Sequence, residues 1–322
     1  MIERTTPSVP STSGDAASPL RPPPLSSASA GPFLKWAGGK SRLLAAYADH
    51  FPERFGAYHE PFLGGGAVFF HLRPGQAVLS DANPRLIELW TVVRDEPEAL
   101  WAQVRVHRGA HGRAYYYRCR DRFNAAQGLS RVERAGLFLY LNKTCFNGLY
   151  RENKRGEFNV PFGDYADPRI VTEEQLWAAS RALRGVELRN EDFVGVVDRA
   201  RPGDLVYFDP PYVPLSATSS FTSYHHKGFD LTLQAELAGL FHRLAERGVH
   251  VMLSNSDVPL VRELYQGWTL VEIRAPRSIS RVGDQRHAVG ELLVLSTPAP
   301  RSVPVRGGHA TSAARAAEDA AP

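Results

Sequence analysis

Apolar positions along this chain change period repeatedly, and each change marks an element. Residues 41–50 space their apolar side chains for a helix. Residues 57–60 read as a short strand running into Gly64-Gly65-Gly66, and residues 67–72 open the next helix. Residues 77–80 form a strand ending at Asp81, and 83–93 return to helical spacing. Further along, 186–189, 204–208 and 249–254 read as strands, followed by a pair at 269–275 and 290–295. The run Asp204-Leu205-Val206-Tyr207-Phe208 is apolar at consecutive positions, as a strand covered on both faces requires. Strand and helix signals that alternate in this way predict an α/β fold, a doubly wound, Rossmann-like sheet.

The middle of the chain breaks that rhythm. Residues 115–126 and 131–141 read as two helices. Residues 146–162 are rich in Gly and Asn, with turn signals at Asn147-Gly148 and Arg155-Gly156 and β-formers between them, so a hairpin or long loop is expected. The halves of one α/β domain, 32–94 and 170–298, are thus separated by an insertion at 95–169. The first thirty-one residues and 299–322 are rich in Pro, Ser, Ala and Arg and read as disordered tails.

Composition narrows the class. The chain has 322 residues, 43% of them hydrophobic, enough for a substantial core. No apolar run approaches the roughly 18 residues of a membrane span. The N-terminus lacks a basic start followed by an apolar stretch, so no secretory signal is expected. Cys119 and Cys145 lack metal-ligand spacing, and no metal is expected. A reducing cytoplasm is the expected location. The net charge is only +4, but twelve Lys and Arg face five acids between Gln103 and Tyr165, a local balance of +7. Such a concentration suits a phosphate-backbone partner. A solvated, Arg-rich helix would look the same.

Candidate chemistry sits where strands end, because ligands of open α/β sheets lie beyond the carboxyl ends of the strands. Asp209-Pro210-Pro211-Tyr212 follows the most apolar strand. Proline fixes φ and removes the amide donor. The Asp209 carboxylate and the Pro210 carbonyl then make a rigid pair of acceptors for an exocyclic –NH2 group, and Tyr212 offers a ring for stacking. A plain turn after a strand is the alternative. Glu60-Pro61-Phe62-Leu63-Gly64-Gly65-Gly66 places glycines where backbone must come close to a ligand, or merely to a neighbour. Asp81, some twenty residues on, stands where an acid takes ribose hydroxyls. Asp192-Phe193 follows another strand, where an acid and a ring suit an adenine, or only a loop. Trp36-Ala37-Gly38-Gly39-Lys40-Ser41 invites a P-loop reading, but Leu34 replaces the required glycine and no strand precedes it.

In this order, the Lys35-Trp36-Ala37-Gly38-Gly39-Lys40 block, the glycine loop, Asp81, the insertion and Asp209-Pro210-Pro211-Tyr212 resemble the DNA adenine-N6 methyltransferase (Dam) family. The resemblance runs from about 32 to 296. It includes Asn142, Phe146-Asn147-Gly148-Leu149, the stretch Arg155 to Gly163, segments 214–218 and 221–225, Ser254-Asn255, 277–280, Arg286 and Glu291. It implies a methyltransferase sheet that binds S-adenosylmethionine, with an inserted, mainly helical DNA-recognition domain carrying the hairpin loop.

By that resemblance Trp36, Lys40, Glu60, Phe62, Gly64, Gly66, Asp81, Asp192, Phe193 and Asp209 would contact the cofactor. Asp209, Pro210 and Tyr212 would act on an adenine flipped from double-stranded DNA. Phe146 would wedge into the base stack, Asn147 would take the orphaned thymine, and Leu149 with Pro161 would meet a thymine methyl. Arg151 and Lys35 would read guanines, and Tyr165 would join the DNA face. The implied target is GATC, the implied enzyme a monomer beside the bacterial nucleoid. Lys143, Thr144 and Cys145 depart from the usual Arg, Tyr and Gly, and Asp164 from a basic residue. The bare tetrad would also fit cytosine-N4 or protein-glutamine methyltransferases. The alternatives from other classes are a non-catalytic DNA-binding relative, against which the intact Asp209 and glycine loop speak, and a related methyltransferase acting on another sequence, on RNA or on protein.

Overall fold

A computed structural model of the chain describes residues 30–125, 127–213, 229–273 and 290–298. The expected tails, apart from residues 30 and 31, lie outside these, as do segments 214–218, 221–225 and 277–280 and Arg286. Seven strands form one sheet: β1 (Tyr58–Glu60), β2 (Ala77–Asp81), β3 (Glu187–Asn190), β4 (Leu205–Phe208), β5 (His250–Ser256), β6 (Trp268–Ile273) and β7 (Glu291–Pro298). Their spatial order is β3-β2-β1-β4-β5-β7-β6. β7 runs antiparallel to both neighbours, and the other pairings are parallel. The order reverses between β1 and β4. That switch point opens a crevice at the carboxyl ends of these strands, which is where the glycine loop and Asp209 emerge.

Helices α1 (Leu44–Tyr47), α2 (Ala67–Leu72), α3 (Pro84–Asp95), α4 (Pro97–Gly109), α5 (Arg113–Ala125), α6 (Arg131–Thr144), α7 (Glu173–Ala182), α8 (Leu231–Glu246) and α9 (Pro259–Leu264) complete the described residues. Their starts are written in the sequence. Asn83 caps α3 by accepting the amides of Arg85 and Leu86 at 3.0 and 3.2 Å, with Pro84 at the first helical position. Ser130 with Glu133, and Thr172 with Gln175, form reciprocal capping boxes for α6 and α7. The helix expected over 41–50 is instead three short pieces, an α-helical turn between 3-10 turns at Lys40–Arg42 and Ala48–His50. Lys40, at the start of the first turn, and Tyr47, at the end of the α-helical one, are both buried and tied to the site described below.

β4 is buried along its length, as its apolar run predicts. One face of the sheet packs with α8 in a cluster holding Val206, Phe208, Phe241 and Leu253. The other core is larger and continuous: Leu79, Trp90, Val104, Tyr116, Phe138 and Leu176 belong to it. The helices between β2 and β3 therefore share their core with α3 and the sheet. The expected hairpin is a loop that doubles back through two isolated antiparallel bridges, Cys145 to Phe162 and Glu152 to Phe158.

The basic segment is partly neutralised within the fold. Arg131 pairs with Glu96 at 2.6 Å and Arg122 with Glu133 at 2.9 Å, and Arg134 forks onto Glu88. At the opposite end of the sheet, Asp204 accepts the amides of Ala57 and Arg201 and faces His59 at 3.2 Å, tying β1 to β4.

Candidate active site

Asp209 leaves β4 at the switch point. Its Oδ1 lies 2.6 Å from the Lys40 ammonium and accepts the Ser254 hydroxyl at 2.8 Å. No described residue donates to Oδ2. Lys40 is almost wholly buried, and it also donates to the Gly38 carbonyl at 2.7 Å and lies 4.8 Å above the Tyr212 ring. Lysine is rarely buried unless paired, and the Asp209 carboxylate supplies the pair. Ser254 stands 3.0 Å from the Tyr207 hydroxyl, so a buried polar chain backs the carboxylate.

Pro210 and Pro211 offer no amide donors, and side chains brace the turn instead. Gln234 Nε2 donates to the Pro211 carbonyl at 2.9 Å. Asn255 Oδ1 accepts the Val213 amide at 3.1 Å, and its Nδ2 donates to Gln234 Oε1 at 3.1 Å. Ser256 donates to the Val213 carbonyl at 3.0 Å. Each such buried bond is worth about 1 kcal/mol, and more is lost when one partner is stranded. The Pro210 carbonyl takes no hydrogen bond from a described residue. The turn therefore presents Asp209 Oδ2 and the Pro210 carbonyl as acceptors on a braced backbone. Sequence reasoning gave no role to Gln234, Asn255 or Ser256. Their signal was faint: polar residues at the end of an otherwise apolar strand, and one glutamine in the buried stripe of α8.

The glycine loop follows β1. Gly64 and Gly66 have φ of +46° and +62°, a region that favours glycine. A Cβ at Gly64 would meet the Trp36 indole at 2.6 Å, and one at Gly66 would meet Trp90 at 2.5 Å. The close approach here is to two tryptophans. Asp81 closes the loop: Oδ2 accepts the Gly64 amide at 3.1 Å and Oδ1 the Asn83 amide at 3.0 Å. A carboxylate oxygen accepts more than one hydrogen bond, so this duty is compatible with a ribose partner.

Glu60 turns inward beneath the loop, accepting the Tyr58 hydroxyl at 3.0 Å. Burial pushes its carboxyl up to about 8, so it is protonated at neutral pH. Phe62 stacks on Phe193 at 5.4 Å, with Phe229 edge-on to Phe62 at 5.7 Å. Asp192 is exposed beside them and accepts the Val194 amide. Acceptor carboxylates and a stacked aromatic pair at adjacent strand ends are suited to a nucleoside.

The seven residues expected to read DNA form a second cluster beside this one. Asn142 clamps Lys35 through both backbone groups, accepting its amide at 2.9 Å and donating to its carbonyl at 2.7 Å. The Lys35 ammonium donates to the Lys143 carbonyl at 3.2 Å and lies 4.2 Å over the Tyr165 ring. Burial, with Lys35 close by, pushes the Lys143 amine down to about 8. Phe146 is 51% exposed, an unusual cost for a phenylalanine, and its amide donates to the Pro161 carbonyl at 2.9 Å. Asn147 is exposed with φ of 54°. Arg151 is exposed, its Nε donating to Asn159 Oδ1 at 2.7 Å.

Two of the departures noted in the sequence face inward. Thr144 donates to the Tyr140 carbonyl, and the Cys145 thiol, pushed up to about 12 by burial, donates to the Leu149 carbonyl. His111, unanticipated from sequence, donates from Nε2 to the Tyr165 carbonyl at 2.8 Å and accepts the Tyr140 hydroxyl at Nδ1. Tyr150 joins the two clusters: it stacks on Trp36 at 5.7 Å and on Phe138 at 5.2 Å.

The strand order, the single antiparallel strand and the braced acidic turn define an α/β methyltransferase-type domain. Residues 36–279 match the model of the D12 class N6 adenine-specific DNA methyltransferases, and the chain belongs to that family. It is 42% identical over 267 residues to Type II methyltransferase M1.LlaDCHI of Lactococcus lactis, covering 82% of this chain and 94% of the relative. It is 41% identical over 279 residues to DNA adenine methylase of Escherichia coli, covering 83% and 95%. Type II methyltransferase M.MjaIII of Methanocaldococcus jannaschii is 39% identical over 284 residues. The protein is thus an adenine-specific DNA methyltransferase. Among the described residues no helix is long and apolar enough to cross a membrane, and no cluster of three or more His, Cys, Asp or Glu is placed to hold a metal.

Proposed function

We propose that this enzyme methylates N6 of an adenine flipped out of double-stranded DNA at GATC, with S-adenosylmethionine as donor. The observation that carries the reading is the division of labour at Asp209. Lys40 and Ser254 both hold Oδ1, which leaves Oδ2 and the Pro210 carbonyl to accept the two amine hydrogens. Adenine's N6 lone pair is delocalised into the ring. Two rigid acceptors favour a pyramidal nitrogen and free that lone pair for attack. Bound S-adenosylmethionine supplies an electrophilic methyl on a sulfonium. Asp81 would take its ribose, Phe62, Phe193 and Asp192 its adenine, and Trp36, Lys40, Gly64 and Gly66 would line the same crevice, with Glu60 supporting the loop from beneath. Holding both reactants in one crevice adds a proximity contribution.

Residues 95–169 would be the target-recognition part, and 32–94 with 170–298 the cofactor-binding part. Phe146, on an exposed turn, would fill the space the adenine leaves. Asn147, Leu149 and Pro161 would contact thymines, and Arg151 and Lys35 guanines, with Tyr165 packing under Lys35. The name DNA adenine methylase carried by the Escherichia coli relative supports this reading.

The test is methylation of duplexes containing GATC and each single-base variant, with N6-methyladenine located by sequencing. Methylation of the GATC adenine, falling at least about tenfold at each altered base pair, is the expected result. Equal rates on all variants would remove GATC; methylation of cytosine would remove the reaction.

A further inference from the structure

Behind the Tyr212 ring lies a carboxylate to which the reaction above gives no part. Glu291 opens β7 and reaches the site from a strand antiparallel to β5. A single oxygen, Oε1, accepts the Tyr212 hydroxyl at 2.7 Å and also the hydroxyl of Tyr47 from α1. One oxygen taking two phenols is an arrangement for an anion, which offers the lone pairs and strengthens both bonds. Burial first, and neighbouring carboxylates second, hold both phenols well above the usual tyrosine range, so each keeps the proton it donates. Tyr47 is itself fixed, wholly buried with its ring edge-on to Tyr207 at 6.4 Å.

The consequence is for the ring of Tyr212. A tyrosine beyond two prolines is set at its backbone by the Gln234 and Asn255 brace, but its side-chain torsions are not. Glu291 pins the far end of the ring, and the Lys40 ammonium occupies one face at 4.8 Å. A base stacking on Tyr212 is then confined to the other face. That fixes the base plane relative to Asp209 Oδ2. Misorientation of a reacting group by as little as 1 Å costs catalysis heavily, so a carboxylate that never touches substrate bears on the rate.

We propose that Glu291 is a positioning residue for methyl transfer: by holding the Tyr212 hydroxyl it sets the stacking platform on which the flipped adenine is aligned with Asp209. The inference rests on the reading of Tyr212 as that platform.

The test uses the full-length enzyme, S-adenosylmethionine and a GATC duplex with 2-aminopurine at the target adenine, whose fluorescence rises on flipping and is quenched by stacking on an aromatic ring. Single-turnover rates are measured on the matching unmodified duplex, with DNA affinity and melting temperature for each variant. Glu291→Ala and Tyr212→Phe both break the Tyr212–Glu291 bond, and each should slow transfer about tenfold, the loss expected of that charge-assisted bond; Glu291→Ala also releases the Tyr47 hydroxyl. Both should brighten the 2-aminopurine and leave DNA affinity within about twofold. The double variant should be no slower than the slower single variant, because Glu291→Ala has already broken the bond that Tyr212→Phe removes. Glu291→Gln, which keeps an acceptor oxygen, should recover part of the rate. Multiplying losses in the double variant would overturn the proposal, as would wild-type rate and fluorescence in both single variants. Tyr212→Ala separates this from failure of the platform reading. If it alone is slow and bright, the platform stands and the role of Glu291 falls; if it behaves as wild type, the platform itself falls.

Discussion

The strand-end site and the loop proposed to read DNA differ in how much of their geometry is already set. At the site, Asp209 is 19% exposed and Lys40 4%, and Asp209 Oδ1 is bonded both to Lys40 and to Ser254 of β5. In the loop, Phe146 is half exposed, Asn147 is exposed in a left-handed turn, and among the described residues the Arg151 side chain bonds only to Asn159 across the same loop. The first arrangement is preorganised for charge redistribution, which is where an enzyme gains most of its rate. The second keeps the groups proposed to meet bases on the surface, held by local bonds. A reaction tolerates little freedom, whereas a reading surface must first meet its partner.

The largest effect should come from the preset side. Asp209→Ala removes the acceptor and strands Lys40, a buried ammonium. Methyl transfer should fall by about a thousandfold or more, while binding of a GATC duplex, measured by anisotropy, stays within a few fold. A rate near wild type would dissolve the contrast, since the best-braced residue would then be dispensable.

A second effect follows from Glu60. Its native value of about 8 lies above the ordinary 4.5 because burial disfavours the charge. A carboxyl shifted this way favours the fold while protonated. Its contribution is intact below the unfolded value and is lost as pH climbs from about 4.5 to about 8, at roughly 1.4 kcal/mol per unit. Glu60→Gln removes the ionisable group and should flatten this slope. Denaturant unfolding of both proteins at pH 5 and pH 8 reads it directly: the wild type should lose a few kcal/mol relative to the variant. A constant difference between the two would mean that Glu60 is hydrated or ionised in the native state.

How far the sequence disclosed these two regions follows from the same physics. Buried strands were legible because consecutive apolar residues have few other uses; β4 and β5 lie within a residue or two of their expected limits. α4 was not read: its Trp, Val, His and Arg residues give a weak stripe, and much of its burial comes from α6, thirty residues on. The segment 41–50 kept helical spacing, yet it breaks where Lys40 and Tyr47 serve Asp209 and Glu291, partners some 170 and 240 residues away. The glycine loop was legible as a place of close approach, but that Trp36 and Trp90 make the approach was not. The basic segment was legible as a charge, but its pairings with Glu88 and Glu96 were not. Local chemistry is written locally; what braces it comes from far along the chain.

On the reading side, Arg151 offers the sharper test. A guanidinium forked onto O6 and N7 of guanine discriminates one base pair, whereas one on phosphate does not. Arg151→Ala should cost about 1–3 kcal/mol on GATC and relax preference at a single position. The Asn159 contact it surrenders is intramolecular and exposed, so melting temperature should barely move. A uniform fall across all single-base variants, with a flatter salt dependence, would assign Arg151 to the backbone instead.

The smallest expected effect probes the joint between the regions. Trp36 lies on the glycine loop on one side and on Tyr150 on the other, and Tyr150 sits between Leu149 and Arg151 in the chain. If the braced site and the reading loop are energetically separate, Trp36→Ala and Tyr150→Ala should be additive in unfolding free energy. The stacked geometry, 5.7 Å between centroids at 24°, argues otherwise. A double-mutant cycle should return a coupling of about 0.5–1.5 kcal/mol. Repeating the cycle on S-adenosylmethionine affinity, with and without a GATC duplex, asks whether that coupling crosses from packing into function. Coupling that grows with DNA present would make Tyr150 the route by which a read sequence steadies the cofactor loop. Coupling that is unchanged confines it to stability, and zero coupling in both cycles would leave the two regions as neighbours that share a core and nothing more.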